Sequence, residues 1–141
     1  MISQHYTIQE FVPPVIYQQF GDNSIWFIDQ RIVLLADWLC DYFGVHLIVN
    51  DWHKGGQFKE SGFRDPATST GAARGQHKFG RAADFKHPQM DAEGVREEIR
   101  RNYKALNQRF GVTTIEQDTP TWCHVDLRWT GLDKLLEVPY K

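Results

Sequence analysis

The sequence has little of what marks disulfide-rich, membrane-spanning or nucleic-acid-binding proteins. Only Cys40 and Cys123 are cysteines among its 141 residues, and they form no CxxC pair. We therefore expect two buried thiols, since nothing in the pattern supports a disulfide between them. No apolar run approaches the roughly 20 residues that cross a bilayer. A net charge of −2, without a basic block, gives no footprint for nucleic acid.

Two further absences concern export and catalysis. The first residues, MISQHYTIQEF, lack a basic segment followed by an apolar run, so we expect no Sec-type signal peptide. The protein would then be cytoplasmic on synthesis or virion-associated, and another factor would deliver it to any target outside the cell. The chain also lacks HExxH, which excludes the helical motif of many zinc proteases.

The length and the order of predicted elements define a fold class. A chain of 141 residues is one domain, 1–141, and can bury a core without disulfides. We expect it to be a monomer. Helices, a strand, a long loop, a strand, a helix and a hairpin follow one another along the chain. This order predicts an α+β fold, with a small, mostly antiparallel sheet flanked by helices.

Periodicity and capping residues place the elements. The predicted helices are a short one opened by a capping box at Thr7–Glu10 and disturbed by Pro13 and Pro14, one over Ile28–Phe43 ended by Gly44, and one over Ala92–Phe110 opened by Asp91. The predicted strands are Val45–Val49, Ala82–Phe85, Val112–Glu116 and Thr121–Leu127, the last two a hairpin, and Leu132–Lys141 is a closing turn. Residues 50–81 have little periodicity, and loops of that length are often functional.

Three segments contain the polar residues that metal centres use, namely Ser61–Arg64 (SGFR), Gly75–Asp84 (GQHKFGRAAD) and Thr121–Asp126 (TWCHVD). A catalytic zinc ion takes three protein ligands and keeps an open position for water. His77, Asp84 and His124 offer two imidazoles and one carboxylate, which suit this ion. Gly80 allows a tight turn between the first two of them.

Spacing alone leaves other interpretations of these residues open. His77 also fits a solvated loop histidine, Asp84 a charge beside a strand, and His124 a core histidine bonded to a carbonyl oxygen. Because side chains alternate along a strand, His124 and Asp126 share one face while Cys123 lies on the other. Cys123 is therefore a poor candidate for a fourth ligand.

The pattern SGFR, then HxxGxAxD, then WxHxD, resembles the M15 family of zinc D-Ala-D-Ala carboxypeptidases and phage L-alanyl-D-glutamate endopeptidases. The resemblance extends from about Phe27 to Arg128. It implies a hedgehog-like fold, with Zn²⁺ held by His77, Asp84 and His124. It also implies that Arg64 faces the substrate and steadies a carboxylate or the oxyanion, although Arg64 paired with Asp65 on the surface is the alternative.

A zinc peptidase also needs a carboxylate that takes the proton of water and passes it to the leaving amine. Some members of the family place an acidic residue three positions before the last histidine, where this chain has Thr121. Others place a glutamate at the end of the preceding strand, as Glu116 is here. We therefore expect Glu116 to be the general base, and Asp118, in the predicted hairpin turn, is the second choice.

The resemblance thus implies hydrolysis of a peptide bond in the stem peptide of bacterial peptidoglycan. The chain would be a phage or prophage cell-wall lysin. Its target bond is L-Ala–D-Glu or D-Ala–D-Ala, with the endopeptidase favoured by the small, phage-like form. Two alternatives stay open: a non-catalytic, zinc-stabilised cell-wall-binding or structural module of the same fold, and a domain without metal.

Overall fold

The computed structural model describes residues 1–140. Within them lie the helices α1 (Pro14–Phe20), α2 (Gln30–Phe43), α3 (Ala92–Arg101) and α4 (Tyr103–Phe110), and the strands β1 (Ala82–Phe85), β2 (Thr114–Glu116), β3 (Cys123–Asp126) and β4 (Leu136–Val138). Short 3-10 helices cover Ile8–Glu10, Gly21–Phe27, Trp52–Lys54 and Gln76–Phe79. The predicted α+β class is confirmed. In the described part of the chain, no helix is long and apolar enough to cross a membrane.

The four strands form one sheet in the order β1-β3-β2-β4. β3 pairs antiparallel with both β1 and β2, and β2 pairs parallel with β4. In this register Asp84 lies opposite His124, and Ile115 lies opposite Val125. Glu116 follows Ile115, so the register brings it beside His124. One row across three strands therefore contains Asp84, His124 and Glu116.

The two faces of the sheet have different chemistry because side chains alternate along each strand. Ala83, Phe85, Cys123 and Val125 are fully buried in the main hydrophobic core. Helix α2 packs into the same core through a face that includes Ile32, Leu35 and Leu39. Burial of each such aliphatic side chain stabilises the fold by roughly 1.5–3 kcal/mol. The opposite face of the sheet is left for polar side chains.

The helix boundaries follow from capping. The Asp29 carboxylate accepts a hydrogen bond from the Arg31 backbone N–H, so α2 begins just after it. The helix ends at Gly44, whose φ of 70° is left-handed, as predicted. Asp91 caps α3 in the same way, through the N–H of Gly94.

Two predictions about helices were wrong in detail. The capping box at Thr7 begins only the 3-10 turn Ile8–Glu10 and not a longer helix. Pro14 begins α1 instead of disturbing a helix. Proline suits a first helical position because the N–H it lacks would have no partner there. The helix predicted over Ala92–Phe110 is broken at Asn102, whose side-chain amide donates to the Glu98 carbonyl oxygen.

Two predictions about strands were also wrong. Val45–Val49 forms a single bridge, between Ile48 and Lys86, before the chain turns away. The expected closing turn contains β4, because the backbone from Leu136 pairs with β2. Lys141, the last residue of that predicted turn, lies outside the described residues. Cys40 and Cys123 are free, buried thiols, as expected.

Candidate metal centre

The side chains of His77, Asp84 and His124 meet on the polar face of the sheet. His77 comes from the 3-10 turn Gln76–Phe79, Asp84 from β1 and His124 from β3. His77 Nε2 lies 3.1 Å from Asp84 Oδ1 and 3.2 Å from His124 Nδ1, and the last two atoms are 3.0 Å apart. Each residue is only 5% exposed. Three donor atoms therefore form a nearly equilateral triangle in a buried position.

Gly80 makes the turn that joins His77 to β1. Its φ is +70°, and a Cβ at this position would lie 1.9 Å from the Phe27 carbonyl oxygen. The Gly80 carbonyl oxygen accepts a hydrogen bond from Asp29 N–H at the start of α2. No side chain fits this close approach, so glycine is required both by the backbone conformation and by the space.

The outer nitrogen of each histidine determines which tautomer is present. His77 Nδ1 lies 2.8 Å from the Gly62 carbonyl oxygen, which can only accept, so Nδ1 carries the hydrogen. His124 Nε2 lies 2.7 Å from Asp126 Oδ2 and donates to it in the same way. The inward nitrogens of His77 and His124 are therefore free to bind a cation.

The triangle fits a zinc ion. Tetrahedral zinc with bonds of about 2.0–2.2 Å separates two ligands by about 3.3 Å, close to the distances found here. A group of three metal-binding side chains lies at this point, and no fourth histidine, cysteine, aspartate or glutamate of residues 1–140 joins it. Three protein ligands are typical of a catalytic zinc site, and structural sites usually have four.

The charges of the centre also favour a cation. Burial alone would raise the pKa of Asp84, but His77 and His124 more than offset it and hold the pKa well below its usual range. Burial lowers the pKa of His77, and Asp84 opposes this in part. Burial also lowers the pKa of His124, but hydrogen bonds to Asp126 and Asp84 outweigh it and raise the pKa to about 10. The carboxylates of Asp84 and Asp126, which favour a positive charge on His124, would equally favour a metal cation at its Nδ1.

Each ligand has a second partner that holds it in place. Gly62 and Asp126 orient the two imidazoles, and Arg64 Nη2 lies 3.3 Å from Asp84 Oδ2, which would leave Oδ1 free for a metal ion. Asp126 is fully buried and receives two hydrogen bonds from the Arg128 guanidinium, Nε to Oδ1 at 2.9 Å and Nη2 to Oδ2 at 2.6 Å, and a third from the Arg128 backbone N–H. Such outer partners set ligand orientation and basicity in metal centres.

The structure places the two candidate bases differently. Glu116 Oε1 lies 3.6 Å from His124 Nδ1 and faces the open side of the centre. Burial raises the pKa of Glu116; His124 opposes this rise and Asp84 adds to it. Asp118 is exposed, its Oδ1 accepts a hydrogen bond from the backbone N–H of Tyr140, and it does not line the cleft. Only Glu116 is brought to the centre.

A cleft of about 660 Å³ opens over the centre. Its lining includes the triangle of His77, Asp84 and His124, together with Arg64 and Glu116. Arg64 does not pair with Asp65, since its Nε donates to the Glu60 carbonyl oxygen and its Nη2 approaches Asp84. The size is typical of pockets that take small ligands or short peptides.

Several cleft residues were not singled out from the sequence. Lys86, Arg128 and Tyr140 line the cleft alongside Trp122, which was a candidate wall residue. Strand alternation from Asp84 and Asp126 points to Lys86 and Arg128, each two residues further on. Burial lowers the pKa of Lys86 to about 8, and Asp84 opposes this. Comparison with protein-family models, with curated proteins and with solved structures finds no match for this chain.

Proposed function

We propose that this protein is a zinc peptidase that hydrolyses a peptide bond in the stem peptide of bacterial peptidoglycan. The observation that carries the proposal is the triangle of His77, Asp84 and His124 at the base of an open cleft, three oriented side chains without a fourth candidate ligand in the described part of the chain. The resemblance of the three segments to zinc D-Ala-D-Ala carboxypeptidases and phage endopeptidases supports the choice of substrate.

The residues of the centre have separate roles in the proposed reaction. Zinc in such a site supplies Lewis acidity and lowers the pKa of water to about 7. Glu116 takes the proton of the attacking water and returns it to the leaving amine. Arg64, fixed by Glu60 and Asp84, presents its guanidinium to negative charge that develops on the carbonyl oxygen.

The bond that is cut is L-Ala–D-Glu or D-Ala–D-Ala, and the products distinguish the two. Purified peptidoglycan is incubated with the zinc-loaded wild type and with His124→Ala, and the products are identified by mass spectrometry. New amino termini on D-glutamate, absent with the variant, would establish the endopeptidase. Released D-alanine, absent with the variant, would establish the carboxypeptidase.

The contrary result is equally clear. If the wild type binds one zinc per chain and releases neither product, the protein is not a peptidase of these stem peptides. A non-catalytic cell-wall-binding or structural module would then replace the proposal. In that case zinc removal should unfold the protein, since a structural zinc contributes its binding energy to folding.

A further inference from the structure

Lys86 is a cation of the cleft that has no carboxylate partner among residues 1–140. Its backbone is held by two hydrogen bonds to Ile48, both 2.9 Å. Its Nζ donates to Ser61 Oγ at 2.8 Å and to the Asp84 carbonyl oxygen at 3.2 Å, and it lies 4.2 Å from the centre of the Phe58 ring. Among the described residues, no carboxylate lies within 4 Å of this ammonium group. Its direct contacts are two neutral oxygens and an aromatic face, while the charges of Asp84, Asp51 and Arg64 act on it from further away.

A partly buried ammonium group is costly unless an anion or several hydrogen bonds compensate it. Lys86 has three N–H donors, and the two hydrogen bonds above use two of them. Ser61 accepts from Lys86, so its own hydroxyl hydrogen is free to donate. Both side chains line the cleft. Together they offer two donors and a positive charge to a ligand that enters it.

The position of Lys86 relates this pair to the metal centre. Lys86 is two residues beyond Asp84, so its side chain extends from the same face of the sheet. Continuing the register of β1 and β3 by one step places it opposite Trp122, which also lines the cleft. A ligand held by Lys86 and Ser61 would therefore lie one row of the sheet, roughly 7 Å along the strand, from Asp84.

Both candidate substrates have a carboxylate next to the bond that is cut, on its leaving side. In L-Ala–D-Glu the glutamate continues through its side chain, so its α-carboxylate is free. In D-Ala–D-Ala the last residue ends in an α-carboxylate. In each case the carboxylate is attached to the carbon that bears the scissile nitrogen.

We propose that Lys86 and Ser61 form a subsite for this α-carboxylate on the leaving side of the scissile bond. The inference rests on the proposed function and makes it more specific. Arg64 has a different place, since it is tied to Asp84 beside the metal. Lys86 and Ser61 determine specificity by requiring a free acid next to the bond. A purely structural lysine that only fixed Ser61 would not distinguish an acid from its amide.

The test compares each acid with its amide. The first pair of substrates is L-Ala-γ-D-Glu-L-Lys and the same peptide with a carboxamide in place of the α-carboxylate of D-Glu. The second pair is a peptide ending in D-Ala-D-Ala, as the free acid and as the C-terminal amide. We expect zinc-loaded wild type to prefer the acid of the cleaved pair by about tenfold or more in kcat/KM, as for a charge-assisted hydrogen bond. Lys86→Met should reduce that preference to about one, mainly through KM.

A matched control is Lys59→Met, since Lys59 is an exposed lysine of the same cleft. It loses the same charge and should keep the wild-type preference. Ser61→Ala removes only one hydroxyl and should reduce the preference for the acid severalfold. If Lys86→Met does not fold, Ser61→Ala tests the subsite in its place. Zinc content and the circular dichroism spectrum are measured for each variant. Calorimetry measures how tightly the inactive Glu116→Gln variant binds each acid and its amide. Glu116→Gln should bind the acid more tightly, and the double variant Glu116→Gln, Lys86→Met should bind both alike.

Failure of the carboxylate subsite and failure of the proposed function give different results. If the wild type cleaves acid and amide equally, the carboxylate subsite is wrong and the proposed function stands. The subsite is also wrong if the folded Lys86→Met variant, or Ser61→Ala in its place, keeps the full preference. If the wild type cleaves none of the four peptides while zinc is bound, the proposed function is wrong and this inference falls with it.

Discussion

His124 Nε2 and Asp126 Oδ2 lie 2.7 Å apart, two residues from each other on β3 and on the same face of the sheet. In the neutral imidazole this contact keeps the hydrogen on Nε2 and leaves Nδ1, which faces His77 and Asp84, without one. The guanidinium of Arg128 donates two hydrogen bonds to the same carboxylate. Asp126, which is not one of the three candidate ligands, therefore sets which nitrogen of His124 would be available to a metal ion.

Asp126→Asn should weaken zinc binding by about ten- to a hundredfold, because the amide can donate to His124 Nε2 and favour the wrong tautomer. Zinc affinity is measured by competition with a chromophoric chelator. Asp133→Asn, at an exposed position, serves as the matched control and should bind as the wild type does. Equal affinities for the two variants would show that Asp126 does not set the tautomer.

His77→Ala and His124→Ala should each lose the zinc that the wild type retains at one ion per chain after dialysis. Each substitution leaves two ligands, which is fewer than zinc sites use. The metal is measured by mass spectrometry of the elements. His87→Ala is the control, since His87 Nδ1 accepts only from the backbone of the loop after β1. A wild type with zinc close to zero would show that the triangle is not a metal centre.

Glu116→Gln and Asp118→Asn separate the two candidate bases. Glu116→Gln should bind zinc normally and lose about 10²- to 10⁴-fold in kcat on the cleaved stem peptide, the usual size of a general-base effect. Asp118→Asn should stay within a few-fold of the wild type, because its carboxylate is exposed and bonded to Tyr140 N–H. The opposite pattern would make Asp118 the base and would require the hairpin to move.

Gly80→Ala should destabilise the protein by about 3 kcal/mol or more. The new Cβ would be in a left-handed conformation and would also collide with the Phe27 carbonyl oxygen at 1.9 Å. Gly55→Ala is the comparison, because Gly55 has φ of +85° but a methyl group added there would meet nothing within 4 Å. Gly55→Ala should lower the free energy of unfolding by only about 1 kcal/mol, which is the cost of the left-handed conformation alone. Urea denaturation measures both, and equal losses would contradict the close approach.

Both cysteines should react slowly with thiol reagents in the native protein at pH 8. Burial raises the pKa of Cys123 to about 12 and also raises the pKa of Cys40, so little thiolate forms. The number of labelled thiols, by mass spectrometry, should be close to zero in buffer and two in denaturant. Rapid native labelling of Cys123 would place it in contact with solvent instead of the core.

The local parts of the centre could be predicted from the sequence because they depend on short separations. Strand alternation placed His124 and Asp126 on one face and Cys123 on the other, and the structure confirms this. The long segment 50–81 was predicted to be functional, and Arg64 and His77 lie in it. The ends of α2, at Asp29 and Gly44, follow from local capping.

Contacts between distant segments could not be predicted in the same way. The place of Glu116 beside His124 depends on the register of β2 against β3, which spacing along the chain does not define. The ion pair of Arg64 with Asp84 depends on how the long loop folds back over β1. β4 was missed because a three-residue strand at the sheet edge has almost no periodicity of its own.

The sequence by itself supplied the three candidate residues, His77, Asp84 and His124, through the resemblance of their segments to a known pattern, and it placed His124 and Asp126 on one strand face. It also determined where helices begin and end, since caps and left-handed glycines act over a few residues. Only the tertiary structure decided that Glu116 and not Asp118 faces the centre, and that Lys86 extends into the cleft without a carboxylate partner among the described residues. Register and loop closure are set by packing between distant parts of the chain, and no local pattern encodes that packing.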